Sequence, residues 1–193
     1  MQLTPVTLEG PAIRLEPLAT THLDALSLVA FDPDLWMATV SRLASRSDLE
    51  AYVQEAWDEQ RAGTALPFAT VLRATGQVIG STRFGNAVPA HRRVEIGWTW
   101  VARPWQRSGA NREAKYLMLG HAFEQWGCLR VEFKTSAINA RSRTALTSLG
   151  AVEEGTLRHH MINADGSLRD SVYFSILAED WPAIRRRLEE RLA

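Results

Sequence analysis

Apolar and polar positions in this chain recur in some stretches with the period of a strand and in others with that of a helix. Residues 13–18 (Ile-Arg-Leu-Glu-Pro-Leu) alternate as a half-buried strand. Thr21 stands where a helix running to about Phe31 would be capped, and Asp32-Pro33-Asp34 breaks it. Ser47 and Glu50 have the spacing of a capping box, predicting a helix to about Arg61. Residues 68–73 and 78–84 read as strands joined by an Ala-Thr-Gly turn, and 86–92 as a loop. A β-branched, aromatic run over 94–101 predicts a central strand. The pattern over 112–126 predicts a helix with two apolar faces, as for one packed on a sheet. Residues 131–136 form a further strand, and a helix opening at Asn139 closes at Leu149-Gly150. Residues 152–162 and 171–177 pair as a hairpin, and a helix over 180–191 ends the chain. The strands at Val101 and Val131 are joined through a helix, so they should run parallel. With no repeat or linker in view, residues 1–193 are expected to form a single α/β (α+β) domain, a mixed sheet with helices on both faces.

The junction between the central strand and the following helix carries candidate chemistry. Gln106-Arg107-Ser108-Gly109-Ala110-Asn111 puts a glycine between a strand and a helix N-terminus. Free N–H groups and the positive end of the helix dipole make such a junction an anion site. Gly109 lets the backbone come close to a phosphate, and Arg107 can grip one with two parallel hydrogen bonds. The run G-x-x-x-x-G-K-[ST] of nucleoside-triphosphate loops does not occur, nor does the G-x-G-x-x-G of dinucleotide folds.

The hexapeptide resembles the pyrophosphate loop of GNAT N-acetyltransferases, Q/R-x-x-G-x-[G/A], with Asn111 as a departure at its last position. About thirty residues on, Asn139-Ala-Arg-Ser142 and the closing Leu149-Gly150 are similar to the second half of that family's cofactor site. There the Asn bonds the pantetheine arm and the Ser lies near the thioester sulfur; Asn139 also suits a plain helix cap. Glu95-Ile-Gly-Trp98, Pro104-Trp105, Glu113-Ala114 and Ala122-Phe123, in this order, resemble the ribosomal-protein N-terminal acetyltransferase (Rim-type) branch. The resemblance implies a mostly antiparallel twisted sheet with a central parallel pair. It implies acetyl-CoA as co-substrate, held by Trp100, Val101, Gln106, Arg107, Ser108, Gly109, Ala110, Asn111, Asn139 and Ser142. It also implies direct acetyl transfer to a primary amine, either a protein N-terminus or a small molecule.

Lys plus Arg and Asp plus Glu number 22 each, so a basic surface for nucleic acid is not indicated. The arginines near the C-terminus alternate with Leu and Glu and read as a solvated helix face. Cys128, the single cysteine, rules out an internal disulfide and reads as a structural thiol. The chain shows neither a long apolar run nor a signal segment, so a cytoplasmic protein without a membrane partner is expected. No metal is expected: His159 and His160 are adjacent on a strand and point to opposite faces.

Acetyl transfer from a thioester needs a neutral amine, donors for an oxyanion and a proton for the departing thiolate. Glu95 is the candidate base, directly or through a water; the alternative is an ion pair with Arg93 or another cation. A backbone N–H near Trp100 or Val101 would serve the oxyanion. Ser142 would serve the thiolate, or only bond the cofactor or helix. Trp36, His91 and Trp98 are candidates for the acceptor side, and Trp105 for lining the cleft. The competing expectation is an acyl-CoA-binding sensor or interaction module without catalysis. The late hairpin could pair across a homodimer.

Overall fold

The computed structural model describes residues 1–192. Eight strands form one sheet: β1 (Leu8–Glu9), β2 (Ile13–Pro17), β3 (Leu66–Leu72), β4 (Val78–Val88), β5 (Arg93–Val101), β6 (Arg130–Ser136), β7 (Val152–Ile162) and β8 (Leu168–Leu177). Their spatial order is β1-β2-β3-β4-β5-β6-β8-β7. Every pairing is antiparallel except β5 with β6. That parallel pair is the expected one, because α3 (Ala110–Gly120) and a π-helical turn, His121–Gln125, carry the chain back to the same end.

Helices cover both faces. Met118, Leu119 and Phe123 join Trp181, Ile184 and Leu188 of α5 (Trp181–Leu192) over Ile13, Phe68, Phe84, Val94, Val131 and Phe174. On the other face α1 (Leu23–Ser27) and α2 (Arg46–Arg61) cover only the β2–β5 half. Leu49, Tyr52, Val53 and Ala56 recur at i, i+3, i+4 and i+7, so α2 buries a single stripe against Ala69, Val71 and Trp100. Glu113 of α3 is buried and accepts hydrogen bonds from the Ala12 and Ile13 amides at 2.9 and 3.1 Å. Gly10 leaves room for it: a Cβ there would lie 2.1 Å from the Glu113 carboxylate.

Several expectations move. The Ser47 box gives way to Ser45, which caps α2 by accepting from the Asp48 amide at 3.2 Å, while Asp48 accepts from Ala44. Thr21 caps nothing; it lies in a 3₁₀ turn, Thr20–His22, and α1 ends at Ser27. β4 runs to Val88, shortening the expected loop to the turn Pro89–His91. α4 (Ala140–Leu149) closes on Gly150 at φ 104°, as expected.

Candidate active site

The site begins where the two parallel strands part. Only Arg93, Val94 and Glu95 of β5 pair with β6, opposite Arg130, Val131 and Glu132. Beyond these, β6 follows β8, and β5 stays with β4 through an irregularity facing Thr82. Trp98 marks it with φ 51°, a strained value for a large side chain. Its ring is held between Gly85, which has no room for a Cβ, and the buried guanidinium of Arg83, 4.8 Å from the ring centre. Arg83 in turn bonds Glu59 of α2 at 2.7 Å. The stretch 96–101 therefore has a fixed shape and no strand beside it on the β6 side.

The loop after β5 closes the wedge at one end. Gly109 caps α3 at φ 94°, where only glycine sits without strain, and open space surrounds it. Glu113 is the first amide to close a helical bond, to Gly109, while the Ser108 hydroxyl takes the Ala110 amide at 3.3 Å. The amides of Asn111 and Arg112 are left at the helix mouth. Arg107 and Asn111 are exposed. Gln106 is tied at both ends: its amide donates to the Val101 carbonyl at 3.0 Å and its oxygen accepts from Arg141 of α4 at 2.9 Å. Asn139 caps α4 by accepting from the Ser142 amide at 3.0 Å. The Ser142 hydroxyl has no partner among the described residues. Gln106, Asn139 and Arg141 thus line one groove of about 460 Å³, with Asp34, Met37 and Ile138 on its other walls.

On the face not covered by α3, Glu95 lies 4 % exposed. Val94 and Ile96 point into the α3 core, so Glu95 points the other way. It accepts from Asn86 at 2.8 Å, and Lys134 of β6 stands 3.5 Å away. The expected Arg93 pair does not form, because Arg93 bonds Glu132 at 2.9 Å. Tyr173 of β8 lies beneath Lys134; burial, then the Glu95 charge, raises its phenol above the usual value. Arg169, buried on the same strand, has an Nε without a partner among the described residues.

The expected acceptor residues scatter. Trp36 is buried in the α1–α2 core, its indole N–H on the Ala30 carbonyl at 2.7 Å, so it packs rather than lining open space. Trp100 packs against it, ring centres 5.6 Å apart. His91 sits exposed at the start of β5, the opposite end from Gly109. Trp98 stays in the wedge. Trp105 is half-buried against the α3 core. Cys128 is buried, and burial pushes its thiol up. Among the described residues no three His, Cys, Asp or Glu side chains converge as a metal site. No helix there is long and apolar enough to cross a membrane.

Sequence reasoning missed Lys115. It lies on α3, 7 % exposed, with its Nζ donating to the Thr99 hydroxyl at 2.6 Å. Burial alone lowers its ammonium from 10.5 to about 7. The signal for it was compositional: the chain has twenty arginines and only two lysines, Lys115 and Lys134, and both border β5.

This architecture has solved counterparts. An acetyltransferase structure from T. thermophilus shares 37 % identity over 100 % of both chains, with a TM-score of 0.90. RimJ of Mycobacterium smegmatis, in complex with CoA-disulfide, shares 26 % over 97 % of this chain and 95 % of its own, at 0.82. The N-acetyltransferase p20 of Bacillus licheniformis is 26 % identical over 91 % of this chain and 98 % of its own. The acetyltransferase (GNAT) domain profile matches residues 12–152. The chain belongs to the GNAT acetyltransferase family, enzymes that use acetyl-CoA as co-substrate.

Proposed function

We propose that the chain moves the acetyl group of acetyl-CoA to a primary amine by direct attack, with both substrates held in the β5–β6 wedge. One observation carries the reading: β5 is unpaired from Ile96 onward on its β6 side, between an open helix mouth and a buried carboxylate. The Asn111 and Arg112 amides, Gly109 and Arg107 bind the diphosphate. Asn139 and Ser142 meet the pantetheine end across the groove. Glu95 takes the proton of the attacking amine, directly or through a water. A backbone N–H near Trp100 or Val101 stabilises the oxyanion. Holding the two substrates in register supplies much of the acceleration.

Within this class the Rim-type branch is our reading, with a protein N-terminus as acceptor. The order of the Glu95-Ile-Gly-Trp98, Pro104-Trp105 and Glu113-Ala114 segments supports it, as does the likeness to RimJ. The test is CoA release, followed with a thiol reagent, in the presence of acetyl-CoA and a panel of peptides with free Ser, Ala or Met N-termini, spermidine and kanamycin. Release with peptides is expected. Release only with the small amines would overturn the branch. Tight acetyl-CoA binding without release from any amine would make the chain a sensor.

A further inference from the structure

Glu95 and Lys115 stand on opposite faces of β5. Glu95 turns toward Lys134 and Asn86, Lys115 rises from α3, and the strand's free stretch lies beside both. Around the Lys115 ammonium the sheet offers two hydroxyls, Thr99 at 2.6 Å and then Thr82, 2.7 Å from Thr99. No carboxylate among the described residues pairs with it. Glu113, on the same helix, is committed to the Ala12 and Ile13 amides, and Glu189 and Arg185 of α5 meet on the far side at Tyr116. A buried ammonium without a counter-charge is costly, and an apolar residue of the same length would pack there at no such cost. The lysine is also chemically selective. Elsewhere this chain almost always uses arginine, which cannot give up its proton at working pH. Thr82 is sealed, whereas Thr99 is half-buried and lies within the unpaired stretch.

We propose that Lys115 is a positioning residue that supplies, through the Thr99 hydroxyl, the proton taken up by the departing CoA thiolate. This rests on the transferase reading, with the thioester lying along residues 96–101. As the C–S bond breaks, the sulfur keeps the electron pair and takes the Thr99 proton. The Thr99 oxygen recovers a proton from Lys115 Nζ, leaving a neutral amine. The proton lost by the attacking nitrogen goes to Glu95, so the substrates exchange one proton for one, by way of opposite faces of the strand. After the products leave, solvent takes the proton from Glu95 and restores the one on Lys115. Its pKa of about 7 suits the task, since a thiol takes up a proton near ~8.5. The anionic carrier at the mouth of the same helix favours the charged ammonium and readies it before transfer.

With two lysines in the chain, protein labelled with 13C at the lysine ε-carbon gives two resonances, assigned through Lys134→Arg. The Lys115 signal should titrate near 7 and move to higher pH on adding acetyl-CoA. Lys115→Met and Lys115→Arg should each lower kcat about 100-fold with the fastest amine of the panel. The KM for acetyl-CoA should hold in Lys115→Arg, which keeps the charge, and rise modestly in Lys115→Met, which loses it; in both the fall of kcat at alkaline pH should vanish. An ordinary lysine titration, unmoved by acetyl-CoA, would overturn the relay whether or not the protein turns over. So would a Lys115→Arg enzyme with wild-type kcat and alkaline limb. A wild-type chain that releases no CoA from any amine would instead sink the transferase reading.

Discussion

The two sides of the wedge, the one proposed for the cofactor and the one proposed for the acceptor, are made of different parts. The cofactor side is mostly backbone: a left-handed glycine, two free amides and a helix start, all within 106–112, joined to Asn139 and Ser142. The acceptor side is side chains gathered from far apart: Asn86, Glu95, Lys134, Arg169 and Tyr173, on four strands. A backbone cradle depends on few residue identities and keeps its ligand while the surroundings change. A side-chain cluster gains its chemistry from identity, and single substitutions can retune it. One wedge can thus hold a constant donor and a variable acceptor.

Substitutions can break this division, and the largest effect is expected where the acceptor side turns out to be core. Trp36→Ala should destabilise the chain by about 3–5 kcal/mol in denaturant melts, because it empties a packed site. Unchanged stability would return Trp36 to the ligand surface. Lys115→Met should stabilise the protein at neutral pH by about 1–4 kcal/mol, the range known for exchanging a buried ion pair for packed apolar side chains. The sign follows from a folded-state pKa lowered from 10.5 to about 7. The wild type carries the whole penalty below about 7 and loses it as pH rises to 10.5, so the gain of the variant should fade over that window. A gain independent of pH would mean packing alone. Glu95→Gln should reduce turnover about 100-fold, with calorimetric acetyl-CoA affinity intact. Lost affinity would show that the two sides are not separable. Arg107→Ala should weaken acetyl-CoA binding about tenfold, ~1.4 kcal/mol, and leave kcat with saturating donor unchanged.

The same division explains what could be read from the chain. The Gly109 turn and the Asn139 cap are local in sequence, so their spacing announced them. Glu95 stood out as the one carboxylate of the central strand, but its burial and its partners Asn86 and Lys134 did not. Lys134 and Tyr173 were not legible, since nothing in the spacing of β5, β6 and β8 says which side chains meet across them. The α2 cap misled because Ser45–Asp48 and Ser47–Glu50 both have a box's spacing; the first prevails where Asp48 also takes the Ala44 amide. Trp36, expected on the acceptor side, lies in a segment with little regular structure, where spacing says nothing of burial. Only the Ala30 carbonyl, six residues back, shows how its indole is satisfied in the interior. Lys115 sits on a helix whose apolar pattern conceals it, and the scarcity of lysine was the better clue.

The Glu113 carboxylate fastens α3 to the amides of Ala12 and Ile13, at the start of β2 and next to the edge strand β1. A load on the mouth of that helix is therefore shared with a strand a hundred residues earlier in the chain. Those two amides should exchange with deuterium more slowly once the thioester carrier is bound, reporting occupancy from outside the proposed cradle.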